Sequence, residues 1–271
     1  MKVGLVAHDG RPEVIGFARE FLGVADRAGI EVVADDLVAR ALGTDLEPGV
    51  PDVVVAVGGD GTMLAAVQVA IDHDAPVFGF NLGTIGFLTE VEPPELEAVV
   101  GALAAGEYTT VPRMGITASL NGVTATGLND VVVEKIDTLR LVYLEVEVDG
   151  EPFTTYRADG LIASTPTGST AYSFSAGGPL VDHSIEAILL TPVASHSLFA
   201  RTVVFSSDAR VRVTVRRGRR ARASVDKVPL GEAEDGEVVE IRAASDPIRF
   251  VRFAPASFAR AVTDKFRLER G

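Results

Sequence analysis

Cysteine and tryptophan are both missing from the 271 residues. The absence of thiols excludes disulfide scaffolds, thiolate zinc sites and cysteine nucleophiles together, and it suits a reducing cytoplasm. No apolar run reaches the roughly 18–20 residues that span a bilayer, so no membrane partner is expected. Met1–Ala7 is too short and too early for the core of a signal peptide and reads as a first strand. Lysine is nearly missing as well, occurring only at Lys2, Lys135, Lys227 and Lys265. With 25 Lys and Arg against 38 Asp and Glu, the net charge is −13. So acidic a chain argues against nucleic acid as a partner, because a phosphate backbone requires a basic face. Two origins of this composition stay open: adaptation to high salt, or codon bias toward Arg and Ala with a mildly acidic surface. His8, His73, His183 and His196 are scattered without His-Glu-x-x-His spacing, and no Gly-x-Ser-x-Gly supports a serine hydrolase.

What is present is patterned in two ways. Over the first hundred residues, short apolar runs at Val3–Ala7, Val32–Ala34, Asp52–Val57 and Pro76–Phe80 have the continuity of strands buried on both faces of a parallel sheet. Between the first two, Pro12 and Glu13 open a segment whose Val14, Ala18, Phe21, Leu22 and Ala25 recur at helical spacing until Gly29 stops it. Met63–Ile71 and Glu95–Ala105 are also helical, the latter opened by Pro93-Pro94 and closed by Gly106. This order predicts an α/β N-terminal domain with an open, mainly parallel sheet over residues 1–106. From 107 to about 250 the pattern becomes alternating, at Ile116–Leu120, Leu139–Val148, Thr202–Ser206, Val211–Val215 and Val238–Ile241. Asn121-Gly122 and Asp149-Gly150 are hairpin turns between such runs. A second, β-rich, mainly antiparallel domain is expected there. The tail Ser257–Leu268 is helical again and is expected to pack back. Arg216-Arg217-Gly218-Arg219-Arg220, with Arg222, reads as a solvated hairpin tip; an anionic contact, to polyphosphate or an acidic subunit, is the sharper alternative.

Two motifs carry chemistry. Gly58-Gly59-Asp60-Gly61-Thr62 joins a strand to a helix, where open α/β sheets bind ligands. Its glycines let a phosphate approach the backbone, and the helix N-terminus adds amide donors. Asp60 then lies beside the phosphates, where it can accept a proton from a hydroxyl. It is neither a Walker A loop nor a Gly-x-Gly-x-x-Gly fingerprint. A tight turn with Asp60 as helix N-cap is the plainer alternative. The second motif, Asp159 to Ser173, ends an apolar run in hydroxyl residues around Pro166 and Gly168, followed by Gly177-Gly178-Pro179. Such hydroxyls can bind ribose, amide and phosphate groups, or they can satisfy their own backbone.

Together, Gly58–Thr62, Asp159–Ser173 and Ser175–Pro179 resemble the NAD kinase family. A lone Gly-Gly-Asp-Gly turn is shared with diacylglycerol, sphingosine and 6-phosphofructo-kinases, whereas the long second motif is specific. Asn81 with Gly86-Phe87-Leu88-Thr89, Asn129-Asp130, Arg157, Leu189–Pro192 and His196-Ser197-Leu198 extend the likeness over about residues 52 to 266. The resemblance implies that 1–106 is the donor-phosphate domain with 251–271 packing back on it, and 107–250 the NAD-binding domain. It implies phosphoryl transfer from ATP or polyphosphate to the 2′-hydroxyl of the adenosine ribose of NAD, giving NADP. Asp60 would meet that hydroxyl, and Gly58, Gly59, Gly61 and Thr62 would shape the phosphate turn. Asn129 and Asp130 would hold the adenosine; Arg157, Asp159, Thr170, Ala171, Tyr172 and Ser175 belong to the rest of the NAD site, and Phe80 and Asn81 would close one wall. Mg²⁺ would come with the donor, bound through donor oxygens and water, with no dedicated protein cluster. A homodimer or homotetramer is implied. Two departures stand out: the family usually has Glu where Asp130 stands, and often Asp-Gly-Gln where Asp226-Lys227-Val228 stands. Lys227 is a possible phosphate contact, solvated Lys being the alternative. The rival functions are a lipid or sugar kinase sharing the glycine turn, and a catalytically silent NAD(P) sensor.

Overall fold

The computed structural model describes residues 1–7, 10–83, 86–89, 91–137, 139–254 and 257–268, which leaves His8 outside the described residues. The chain forms two compact units, one of Met1–Pro112 with Ile248–Gly271, the other of Arg113–Pro247.

The first unit begins with β1 (Lys2–Ala7), α1 (Pro12–Arg27), β2 (Glu31–Val33), α2 (Asp36–Leu42), β3 (Val53–Gly58), α3 (Asp60–His73) and β4 (Val77–Asn81). A 3₁₀ turn at Pro93–Glu95 then leads into α4 (Leu96–Ala105), and β5 (Thr109–Arg113) follows. β1 pairs in parallel with β2 and β3, and β3 with β4. Every residue of β3 is buried, as its unbroken Val-Val-Val-Ala-Val run requires of a central strand. α1 carries Pro12 in its first turn and buries Val14, Phe17, Ala18, Phe21, Val24 and Ala25. Phe80 is the hub of the core, meeting Phe17, Phe21 and Phe78 edge-on at centroid distances of 5.1, 6.2 and 5.7 Å. The short α2 has no counterpart in the sequence reading. It is held by its ends: Asp35 accepts from the Val38 N–H at 2.8 Å, and Gly43 closes it at φ 66°.

The second unit is built from β6 (Ile116–Leu120), β7 (Val123–Gly127), β8 (Asp130–Lys135), β9 (Val142–Val148), β10 (Glu151–Ala158) and β11 (Gly160–Ser164). A 3₁₀ turn (Gly168–Thr170) and the single-turn α5 (Tyr172–Ser175) follow. The unit closes with β12 (Ala187–Val193), β13 (Val203–Ser206), β14 (Val211–Arg216), β15 (Ala221–Val225), β16 (Val228–Ala233) and β17 (Val238–Ala243). These strands make two sheets, ordered β10-β9-β14-β17-β6-β7 and β13-β12-β11-β8-β15-β16. The inner faces of the two sheets share one core, with Ile116, Leu144 and Val213 from the first and Val131, Leu161 and Ile188 from the second. Asn121-Gly122 and Asp149-Gly150 form the expected turns, with φ of 50° and 85°, and 54° and 84°.

The arginine cluster is not a hairpin tip. β14 and β15 lie in different sheets, so Arg217 and Gly218 turn a corner between sheets, at φ 63° and 60°. Alternating strands on either side of a glycine look the same in sequence whether they pair or part. Arg216 bonds Glu145 at 2.9 Å, Arg220 meets Glu232 at 3.3 Å, and the Arg217 guanidinium lies 4.3 Å over the Tyr143 ring.

β18 (Ile248–Arg252) and α6 (Phe258–Phe266) return to the first unit. β18 enters the first sheet between β4 and β5, giving the order β2-β1-β3-β4-β18-β5, with Phe250 opposite Val77 in parallel. The sequence reading placed its boundaries at 106 and 250. The compact units instead divide at 112/113 and 247/248, because β5 and β18 are both strands of the first sheet. No helix among the described residues is long and apolar enough to cross a membrane.

Candidate active site

The glycine turn sits where β3 becomes α3. A Cβ on Gly58 would overlap Thr62 Oγ1 and lie 2.9 Å from Thr62 Cβ. Glycine at 58 therefore lets the first turn of α3 fold down over the strand end. Gly59 is the N-cap and makes no side-chain cap. Asp60 is the first helical residue, and its carboxylate does not cap its own helix. It turns to the Gly86–Thr89 segment, where Oδ2 accepts from the Phe87 N–H at 3.1 Å and Oδ1 from the Leu88 N–H at 3.2 Å. Two peptide donors fix the carboxylate's orientation and leave each oxygen a further lone pair. A Cβ on Gly86 would overlap Asp60 Oδ1, so this segment approaches only because residue 86 is glycine. On its other side, the Phe87 ring meets Phe266 of α6 at 6.0 Å and Lys265 Nζ at 5.7 Å. The first N–H groups of α3 have no partners within the helix, as in any helix N-terminus, and suit a phosphate.

Phe80 is completely buried and belongs to the core. Asn81, 4 % exposed, donates Nδ2–H to Glu92 at 3.2 Å, while its Oδ1 is buried with no partner among the described residues.

In the second unit Asn129 and Asp130, each 7 % exposed, stand at the start of β8. Asn129 Oδ1 is buried without a partner among the described residues, an acceptor available to a ligand's N–H. Burial first, and then the neighbouring Asp226 carboxylate, pushes the Asp130 carboxyl up to about 7 against the opposing charge of Lys227. Lys227 itself is exposed, at φ 72° in the β15–β16 turn. Asp159 precedes β11 and is held by Lys135 Nζ at 2.5 Å. Tyr172, at the start of α5, has its phenol raised first by burial and then by the charges of Glu134, Asp159 and Asp130. Arg157 is exposed on β10, its guanidinium 5.6 Å over the Tyr143 ring. Thr170 and Ser175 bond locally, to the Thr167 and Ala171 carbonyls, with Ala171 linking the two short helical turns.

The hydroxyl motif divides into two parts. Thr165, Thr167, Ser169 and Ser173 are buried, and three of their hydroxyls have structural partners. Thr165 donates to the Leu128 carbonyl at 2.6 Å, Ser169 accepts from the Val181 N–H at 2.9 Å, and Ser173 is 2.9 Å from Thr191. From Thr170 onward the residues are partly or fully exposed, except Ser173 and Gly178. Sequence reasoning missed Lys135, which orients Asp159, and assigned no role to Asp226, whose Asp-Lys turn lacks the usual glycine.

Residues 46–108 match the ATP-NAD kinase N-terminal domain, and residues 128–253 the ATP-NAD kinase C-terminal domain. The NAD kinase of Heliobacterium modesticaldum is 38 % identical over 99 % of this chain and 99 % of its own. That of Moorella thermoacetica is 36 % identical over 98 % of this chain and 89 % of its own. Among solved structures, yeast NADH kinase complexed with NADH is similar at a TM-score of 0.90 and 25 % identity, covering 100 % of this chain and 89 % of that one. The chain belongs to the NAD kinase family.

Proposed function

We propose that the protein phosphorylates the 2′-hydroxyl of the adenosine ribose of NAD, giving NADP, with ATP or polyphosphate as donor. The observation that carries this reading is Asp60, oriented by the Phe87 and Leu88 N–H groups at the mouth of a glycine turn. Phosphoryl transfer is mostly positioning and charge stabilisation. The 2′-oxygen attacks the donor's terminal phosphorus, the bond to the leaving phosphate oxygen breaks, and the hydroxyl proton passes toward Asp60. Gly58, Gly59, Gly61 and Thr62 with the N-terminus of α3 face the donor phosphates. Asn129 and Asp130 hold the adenosine, with Arg157, Asp159, Thr170, Ala171, Tyr172 and Ser175 along the remainder of NAD and Asn81 at one wall over Phe80. Among the described residues no group of three or more His, Asp or Glu could hold a metal ion. Mg²⁺ would come with the donor, held by donor oxygens and water, and would neutralise the transferring charge. The first unit is then the donor domain and the second the NAD domain, acting in a cytoplasmic homodimer or homotetramer.

The test is NADP formation from NAD, Mg²⁺ and ATP, with polyphosphate in parallel, by wild type and Asp60→Asn. NADP from wild type and a loss of about a hundredfold or more in the variant fit removal of one acid–base group. NAD binding without NADP from either donor would instead make the protein a dinucleotide sensor.

A further inference from the structure

Every peptide group from Leu128 to Asp130 is bound by one of two residues. Asp226 receives three donors: Leu128 N–H on Oδ2 at 2.5 Å, and Asn129 and Asp130 N–H on Oδ1 at 2.9 and 3.1 Å. Its own N–H returns to the Asp130 carbonyl at 3.0 Å. From the other side, Thr165 donates its N–H to the Asn129 carbonyl at 2.9 Å and its hydroxyl to the Leu128 carbonyl at 2.6 Å. The backbone is thus fully occupied, and what this segment has left to offer is the side chains of Asn129 and Asp130.

Asp226 is built for this contact at some cost. It sits at φ 46°, followed by Lys227 at φ 72°, left-handed at both centres of a turn that Asn-Gly or Asp-Gly would form more easily. The hairpin itself closes through Val225 and Val228 without the carboxylate. Gly127 provides the room: a Cβ there would lie 2.6 Å from Asp226 Oδ2 and 2.7 Å from its Cγ. Burial raises the Asp226 carboxyl while the three N–H groups lower it, so the donors offset part of the desolvation of its charge.

We infer that Asp226 is a positioning residue for dinucleotide binding, gathering three consecutive peptide N–H groups so that the Asn129 and Asp130 side chains meet the adenosine in one fixed geometry. This rests on the reading of those two residues as adenosine contacts; Asp226 touches no substrate itself. Its charge also faces Asp130, together with Lys227 from the same turn and Tyr172 from α5.

Steady-state kinetics from pH 6 to 9 on wild type, Asp226→Asn, Gly127→Ala and Asp130→Asn test this. Asp226→Asn and Gly127→Ala are expected to raise KM for NAD about tenfold or more with kcat little changed, since ground-state binding is what is lost. In Asp226→Asn the acid limb of kcat/KM for NAD should also move to lower pH, because Asp130 loses a neighbouring negative charge. A purely structural Asp226 would lower the melting temperature without moving that limb, and this result would overturn the inference. Wild-type KM in both variants, with a raised KM in Asp130→Asn, also overturns it and leaves the adenosine reading standing. Wild-type KM in Asp130→Asn sinks that reading and this inference together. Hydrogen exchange on the wild-type protein covers variants that do not fold: protected Leu128, Asn129 and Asp130 amides support the anchor, and fast exchange at all three removes it.

Discussion

Asp60 occupies the space that a side chain on residue 86 would need, since a Cβ built on Gly86 overlaps its Oδ1 and lies 2.8 Å from its Cγ. The acid and the glycine are therefore one device: the glycine's bareness lets the following peptide N–H groups reach the carboxylate. Gly86→Ala should displace Asp60 while leaving its chemistry intact. Because displacement of a reacting group by about 1 Å can cost on the order of a hundredfold, kcat at saturating NAD is expected to fall by about that factor. Calorimetry should show NAD affinity unchanged. Full activity in this variant would mean that Asp60 works from another position.

The Asp130 carboxyl, pushed up to about 7 chiefly by burial, gives NAD binding and apo stability opposite pH trends. Only the ionised form accepts ribose hydroxyls through both oxygens, so affinity for NAD should rise as pH climbs from 6 to 8. Stability runs the other way. An acid whose folded value lies above its unfolded value of about 3.9 stabilises fully below that value and loses the contribution as pH rises through 7, on the order of a few kcal/mol for a buried group. Denaturant titrations of the apo protein at pH 5 and 8 should show that loss, and Asp130→Asn should flatten it.

Arg219 and Arg220 stand at the corner between the two sheets of the second unit, where Arg220 meets Glu232. Replacing both with alanine should leave KM for NAD at the wild-type value. A large increase would relocate part of the dinucleotide site to this corner.

Composition bears on salt. If the 38 acids reflect adaptation to a saline interior, screening should relieve their mutual repulsion, and the melting temperature should rise from low to molar salt. A flat or falling trend assigns the acidity to codon bias.

What could be read in the sequence was whatever is local. The buried Val-Val-Val-Ala-Val run of β3 and the Asn121-Gly122 and Asp149-Gly150 turns state their conformation in a few adjacent residues, and the glycine turn states a strand-to-helix junction but not, by itself, its chemistry. The rest depends on partners far along the chain. β5 contains Pro112, which weakens any strand signal and is tolerated at the sheet edge where β5 lies. β18 looks like one more antiparallel strand until its neighbours are known. α2 has only seven residues, too few to establish a period. Within the hydroxyl motif, no local feature separates Thr165, which braces Asn129, from Thr170. Asp226 was visible only as the first residue of a turn whose Lys227 and Val228 depart from the family pattern, with no role assigned to it.

The insertion of β18 between β4 and β5 fixes the order in which the protein can become itself during synthesis. β5 leaves the ribosome early but has no neighbour until residues 248–252 arrive, after the whole second unit has been made. The second unit, an uninterrupted stretch, can fold as it emerges, while the first keeps an unpaired edge until β18 is made. α6, which leans on the Phe87 ring beside the Asp60 anchor, is made after β18. A chain arrested before β18 would then carry a complete second unit and an unfinished first one, so the sheet that bears the Asp60 turn depends on residues made long after it.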